Sequence, residues 1–156
     1  MKLLKWKYCP MNKSLSLWAI KNGNGKAISF ASKMKLLQPY QADVIRNLTE
    51  IDVIQFIKVK ENAVWASSEA KGHHKLPVTR PEHFSAVGIR IEFDFKFQNV
   101  EFVEINSPVK GYGKKMVDAV LSSLPLAWHP TVVFDQSDGF WEKMKAHYSN
   151  VEWLEI

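Results

Sequence analysis

The chain has 156 residues, 46% of them hydrophobic and 24% charged, which is one domain's worth of material with enough apolar surface for a core. An aromatic share of 12%, with 9 Phe and 6 Trp, excludes an intrinsically disordered chain. A net charge of +5 and a pI near 9.3 suit an anionic ligand such as a nucleotide or nucleic acid, but spread over one domain they equally describe a solvated basic surface.

The single cysteine, Cys9, excludes an intramolecular disulfide and a Cys-based zinc site. The basic start MKLLKWKYCP lacks an apolar run of signal-peptide length, and nothing approaches a membrane span. The expectation is one cytoplasmic domain over residues 1–156, with no membrane partner.

In chain order, Ser14 to Ser32 reads as two strands joined by the turn signal Asn22-Gly23-Asn24-Gly25. The GNGK within it lacks the earlier glycine and the following Ser/Thr of a phosphate loop. Gln41 to Ile51 places Ala42, Val44, Ile45, Leu48 and Ile51 at near-helical spacing. Val53 to Val59 and Ala63 to Ala66 lean towards strand. Glu69 to Glu82, polar with two prolines, reads as one long surface loop. Its His73-His74 pair has no carboxylate or Cys at ligand spacing, so no metal site is expected.

GIRIEFDFKF alternates cleanly, with Ile89, Ile91, Phe93 and Phe95 on one side and Arg90, Glu92, Asp94 and Lys96 on the other. This predicts a half-buried antiparallel strand. After a turn at Gln98-Asn99, VEFVEIN changes phase between Val100/Phe102 and Val103/Ile105, which predicts a bulge or a strand buried on both faces. SPVKGYG then opens a helix with Met116, Val117, Val120, Leu121 and Leu124 on one face. A strand over Thr131 to Asp135, a helix from about Asp138 to His147 and a short final strand VEWLEI complete a mixed α/β sheet with helices against it.

The two glycines at the start of a good helix need a reason. A helix N-terminus carries unpaired N–H groups and roughly half a positive charge, and glycine lets an anion reach the backbone. Lys110, Lys114 and Lys115 add charge there. A dinucleotide fingerprint would need a third glycine where Met116 stands, so that reading fails.

PVKGYGKKMV resembles motif A of the GNAT superfamily of acetyl-CoA-dependent N-acetyltransferases, and SDGFWEKM, Ser137 to Met144, resembles its motif B. The two similarities span about Glu92 to Ile156. The resemblance implies a GNAT-like α/β (α+β) fold, a mixed and mostly antiparallel twisted sheet flanked by helices. It implies acetyl-CoA as co-substrate, with the diphosphate on backbone amides of Val109, Lys110, Gly111, Tyr112, Gly113 and Lys114. The preceding strand would clasp the pantetheine, and N–H groups near Val103, Glu104 and Ile105 would polarise the thioester carbonyl. The motif's leading Gln/Arg falls on Pro108, and the turn from Ile105 to Gly111 is shorter than usual. Trp141 stands where many members carry a tyrosine that protonates the CoA thiolate. Tyr148 is badly spaced to replace it.

Such an enzyme needs a base for an acceptor ammonium of pKa roughly 10.4. Glu101 and Glu104 are the candidates, with Glu101 favoured, and they face opposite sides if the strand is regular. Phe140 and Trp141 are expected in the core, Tyr112 in the sheet–helix interface and His129 on the surface. A non-catalytic acyl-CoA-binding module and a nucleic-acid binder are the alternatives, the latter without any aromatic-basic stripe. The amine acceptor and a possible homodimer are left open.

Overall fold

The computed structural model describes residues 10–73, 75–80, 83–133, 135 and 137–154, with the side chains of 10–13 outside the description. The first element, α1 (Pro10–Asn22), is a helix and corrects the expected hairpin. The alternation Leu15, Leu17 mimics a strand, but the two leucines part company. Leu15 joins the core with Trp18 packed beside it, while Leu17 is 58% exposed. The turn signal itself is real, since Asn24 and Gly25 both take left-handed backbone conformations. It joins a helix to a strand, β1 (Ala27–Phe30).

Next comes α2 (Pro39–Thr49), opened by proline at the start of the helix, where a missing N–H costs nothing. It buries Ala42, Val44, Ile45 and Leu48, as their spacing predicts. It carries the chain back to β2 (Phe56–Lys60), which lies parallel to β1. A tight turn leads to β3 (Ala63–Ser67), antiparallel to β2.

The stretch from Glu69 onward contains a small antiparallel ribbon, β4 (Ala70–Lys71) and β5 (Leu76–Pro77), in place of an unstructured loop. Pro77, Val78 and Thr79 are buried, so this segment lies against the body of the protein. His74, Pro81 and Glu82 of the expected loop lie outside the described residues.

Two long strands follow, β6 (Gly88–Asp94) and β7 (Asn99–Asn106), paired antiparallel. α3 (Tyr112–Leu121) then crosses to β8 (His129–Thr131), which runs parallel to β7. α4 (Phe140–His147) is the last helix. The strand expected over Thr131 to Asp135 starts earlier and stops at Thr131; Val133 is exposed and Phe134 lies outside the described residues. No closing strand forms over Val151 to Leu154. One backbone bond, Leu154 N–H to the Pro130 carbonyl at 2.9 Å, replaces the ladder, and Glu155 and Ile156 lie outside the described residues.

The result is a mixed α/β fold with a six-stranded sheet in the order β1-β2-β3-β6-β7-β8. The central pairings are antiparallel, and each edge strand is parallel to its neighbour because a helix carries the chain across. Ile57, Val59, Val64, Ala66, Ile89, Ile91, Phe93, Val100 and Phe102 share one buried face. α2 and α3 add Ile45, Leu48, Met116, Val117 and Val120 to the same core, and Asn47 Nδ2 donates to Ser123 Oγ at 2.7 Å between these helices. The opposite sheet face carries Lys58, Trp65, Arg90 and Glu92. No described helix is long and apolar enough to cross a membrane.

Candidate functional site

The phase shift in VEFVEIN is a β-bulge. Glu92 pairs with Glu101 and Ile91 with Phe102, but Arg90 pairs with Glu104, leaving Val103 as the extra residue. Directly opposed residues share a sheet face. Glu101 and Glu104 therefore stand on the same face as Glu92 and Arg90, and not on opposite faces as a regular strand would place them. One inserted residue turns i and i+3 to the same side. Ile105, opposite Ile89, returns to the core face.

The other edge of β7 is only partly covered. β8 pairs with Asn99, Val100 and Glu101 alone. From Phe102 to Asn106 no described strand pairs with β7 on that side. The sheet divides at the bulge, and the free edge leads into the glycine turn.

In that turn Val109 and Lys110 are exposed, and Gly111 caps α3 with φ +97, a left-handed conformation that favours glycine. No side chain caps the helix, so the N–H groups of Tyr112, Gly113 and Lys114 have no partner within it. No acidic residue occupies the first turn, while Lys110, Lys114 and Lys115 crowd the positive end of the helix dipole. That placement opposes the dipole, and an anion there would relieve it. Lys114 is partly engaged by Asp118 at 3.2 Å.

Gly113 has a different reason. A Cβ added there would lie 2.9 Å from the Phe140 ring, so this glycine makes room for an α4 side chain. The expected anion site is the set of backbone amides from Val109 to Lys114, and the Phe140 contact accounts for the glycine at 113 without removing its N–H from that set. Tyr112 lies in the interface: its ring packs on the core, and its hydroxyl donates to Asp52 Oδ1 at 2.9 Å, a bond that raises the phenol's pKa.

On the polar face, Glu101 sits half-buried opposite Glu92. Burial first, and the Glu92 charge second, push its pKa above the ordinary carboxylate value, with Arg90 acting in the other direction. Glu104 accepts a 2.5 Å hydrogen bond from the buried Thr79 hydroxyl. Arg90 donates through Nη2 to Glu92 Oε2 at 2.9 Å and lies 4.9 Å from the Trp65 ring centroid. Sequence reasoning misses Thr79, Trp65 and Arg90 as neighbours of the carboxylates. Arg90 alone is signalled, by its place on the polar side of an alternating strand.

α4 contributes structure. Trp141 is 3% exposed and packs against Phe102, Phe140 and Trp153, so it supplies no acid at the tyrosine position. Phe140 also packs on the core. The Tyr148 hydroxyl is buried without a hydrogen-bond partner among the described residues. His129 is partly covered, its Nδ1 3.6 Å from Glu152 Oε1. No group of three or more His, Cys, Asp or Glu among the described residues could hold a metal. Compared with protein-family models, curated proteins and solved structures, the chain finds no match.

Proposed function

We propose that the protein is an N-acetyltransferase that moves an acetyl group from acetyl-CoA to an amine. The observation that carries this reading is the division of the sheet at Val103, where β7 offers a free edge that runs directly into an uncapped, lysine-rich helix N-terminus. An extended, amide-bearing arm ending in a diphosphate matches both parts: main-chain groups of Val103 to Asn106 pair with the arm, and the turn from Val109 to Tyr112 takes the diphosphate. Lys110 and Lys114 add counter-charge. Gly113 makes room for Phe140, and its N–H remains free at the helix start.

Glu101 is the base in this reading. Its raised pKa brings it nearer to the working pH than an ordinary carboxylate. It takes one proton from the acceptor ammonium. The freed nitrogen lone pair then forms a C–N bond at the thioester carbonyl, whose oxygen draws on N–H groups of the bulge. The C–S bond breaks, and the sulfur departs as thiolate. The second proton leaves nitrogen as the amide forms and neutralises the thiolate, so amide and CoA thiol are produced and one proton passes to solvent. Trp141 takes no part in that transfer.

Calorimetry with acetyl-CoA tests the reading, comparing the wild type with Lys110→Glu, an exposed substitution that places a carboxylate at the anion site. Micromolar-range binding, weakened about tenfold or more in a variant of unchanged melting temperature, is expected. A folded wild type that does not bind acetyl-CoA ends the proposal. The buried Trp141 favours a second reading, an acyl-CoA-binding module without turnover. Tight binding with no thiol released against any amine would select it.

A further inference from the structure

A cavity of about 180 Å³ lies on the polar face of the sheet, between Trp65, Arg90 and Glu104 on one side and Lys71 with Leu76 to Arg80 on the other. We infer that it holds the acceptor, and that the acceptor is a small amine carrying its own carboxylate, an amino acid or a compound of that shape. This rests on the acetyltransferase reading for the chemistry but not for the binding.

The walls have charge of both signs: Glu104 stands beside Arg90 on the sheet, and Lys71 and Arg80 lie on the covering segment. Glu104, fixed by Thr79, is the one carboxylate in the lining among the described residues and suits an ammonium group. Lys71 and Arg80, on the covering segment, are exposed and have no acidic partner among the described residues. Arg90 shares itself with Glu92, yet its Nε–H is shut off from water and donates to no described group, as is the indole N–H of Trp65. A ligand oxygen reaches no further than water does, so these two donors take no part, and the anionic end falls to Lys71 and Arg80.

Size narrows the class further. The volume lies well below the roughly 300–1,000 Å³ of sites for drug-sized ligands, so a compact molecule fits and a nucleotide does not. A diamine would bring its second ammonium against Lys71 and Arg80. An amine ending in a carboxylate meets complementary charge at both ends. Glu101 shares the sheet face with Glu104 three residues away, on the strand that carries Glu104 into the lining.

The test is calorimetric titration of the apo protein with leucine, alanine and aspartate, with leucinamide, and with 1,4-diaminobutane, followed by thiol-release assays with acetyl-CoA on the same panel. Free amino acids are expected to bind at least about tenfold tighter than leucinamide or the diamine, and Arg80→Ala or Lys71→Ala to erase about 10- to 100-fold of that affinity. Both positions are exposed, and unchanged melting curves certify folding. Leucinamide or diamine binding as well as leucine, or no member of the panel binding, overturns the inference. Amino-acid binding without thiol release keeps the cavity assignment and removes the acetyltransferase reading. Thiol release with the diamine preferred does the reverse.

Discussion

Glu101 stands opposite a like charge on the paired strand. Its neighbour across the strands, Glu92, has the same charge, and part of its surface is covered, so ionising it in the folded state is harder than in the unfolded chain. An acid with a raised folded pKa binds more protons folded than unfolded just above its ordinary value of 4.5. Stability therefore falls as pH rises through that window and stays lower above it. Glu101→Gln removes the penalty. The variant should be more stable than wild type at pH 7 by about 0.2–1 kcal/mol, the range for opposed charges on paired strands. The gain should vanish once the pH drops well below the ordinary carboxylate value, and chemical denaturation at two pH values measures it. The same substitution should lower acetyl transfer by roughly 10²–10⁴ and abolish the acid limb of its pH profile. A variant with full activity and an unchanged profile would remove Glu101 from the chemistry.

At the scale of elements, the two glycines of the α3 turn do different work, and substitution separates them. Gly111 is required by its backbone: Gly111→Ala forces a side chain into φ +97 with open space around it, at about 1–2 kcal/mol. Gly113 is required by its neighbour, and Gly113→Ala should cost about 1–3 kcal/mol through overpacking against Phe140. In a Phe140→Leu background the second cost should shrink while the first stays, a cycle that urea titration resolves. Periodic elements are legible in the amino-acid pattern: α2, β6 and α3 follow their apolar spacing. α1 is not, because exposed Leu17 completes an alternation with Leu15 that has no sheet behind it. The phase change in β7 announces a bulge, but only pairing with β6 shows that Val103 absorbs it and that both glutamates then share a face. Thr79 beneath Glu104 is a contact across 25 residues, and no local pattern encodes it.

For the whole molecule, the order of strands sets where the fold can open without unfolding. β3 and β6 are paired on both sides and bury Val64, Ile89 and Ile91, so their amides exchange with solvent only through global opening. β8 holds to β7 by three residues and, among the described residues, to the C-terminal segment by one backbone bond and the side chains of His129 and Thr131, so that edge opens first. A cleft built at the weakest seam of a sheet can admit an extended ligand while the rest stays rigid. Hydrogen exchange followed by mass spectrometry should therefore rank β8 and residues 102–114 as the least protected part of the sheet and the turn that follows it. Acetyl-CoA at about 100 times its dissociation constant should slow exchange there by up to about 100-fold and leave β1 and β2 unchanged. The competing surface is the α2–α3 groove lined by Asn47, Asp52, Lys115 and Asp118, whose acidic share suits a polyanion badly. Protection centred on that groove, with residues 102–114 unaffected, would place the ligand elsewhere and leave the divided sheet without the role assigned to it.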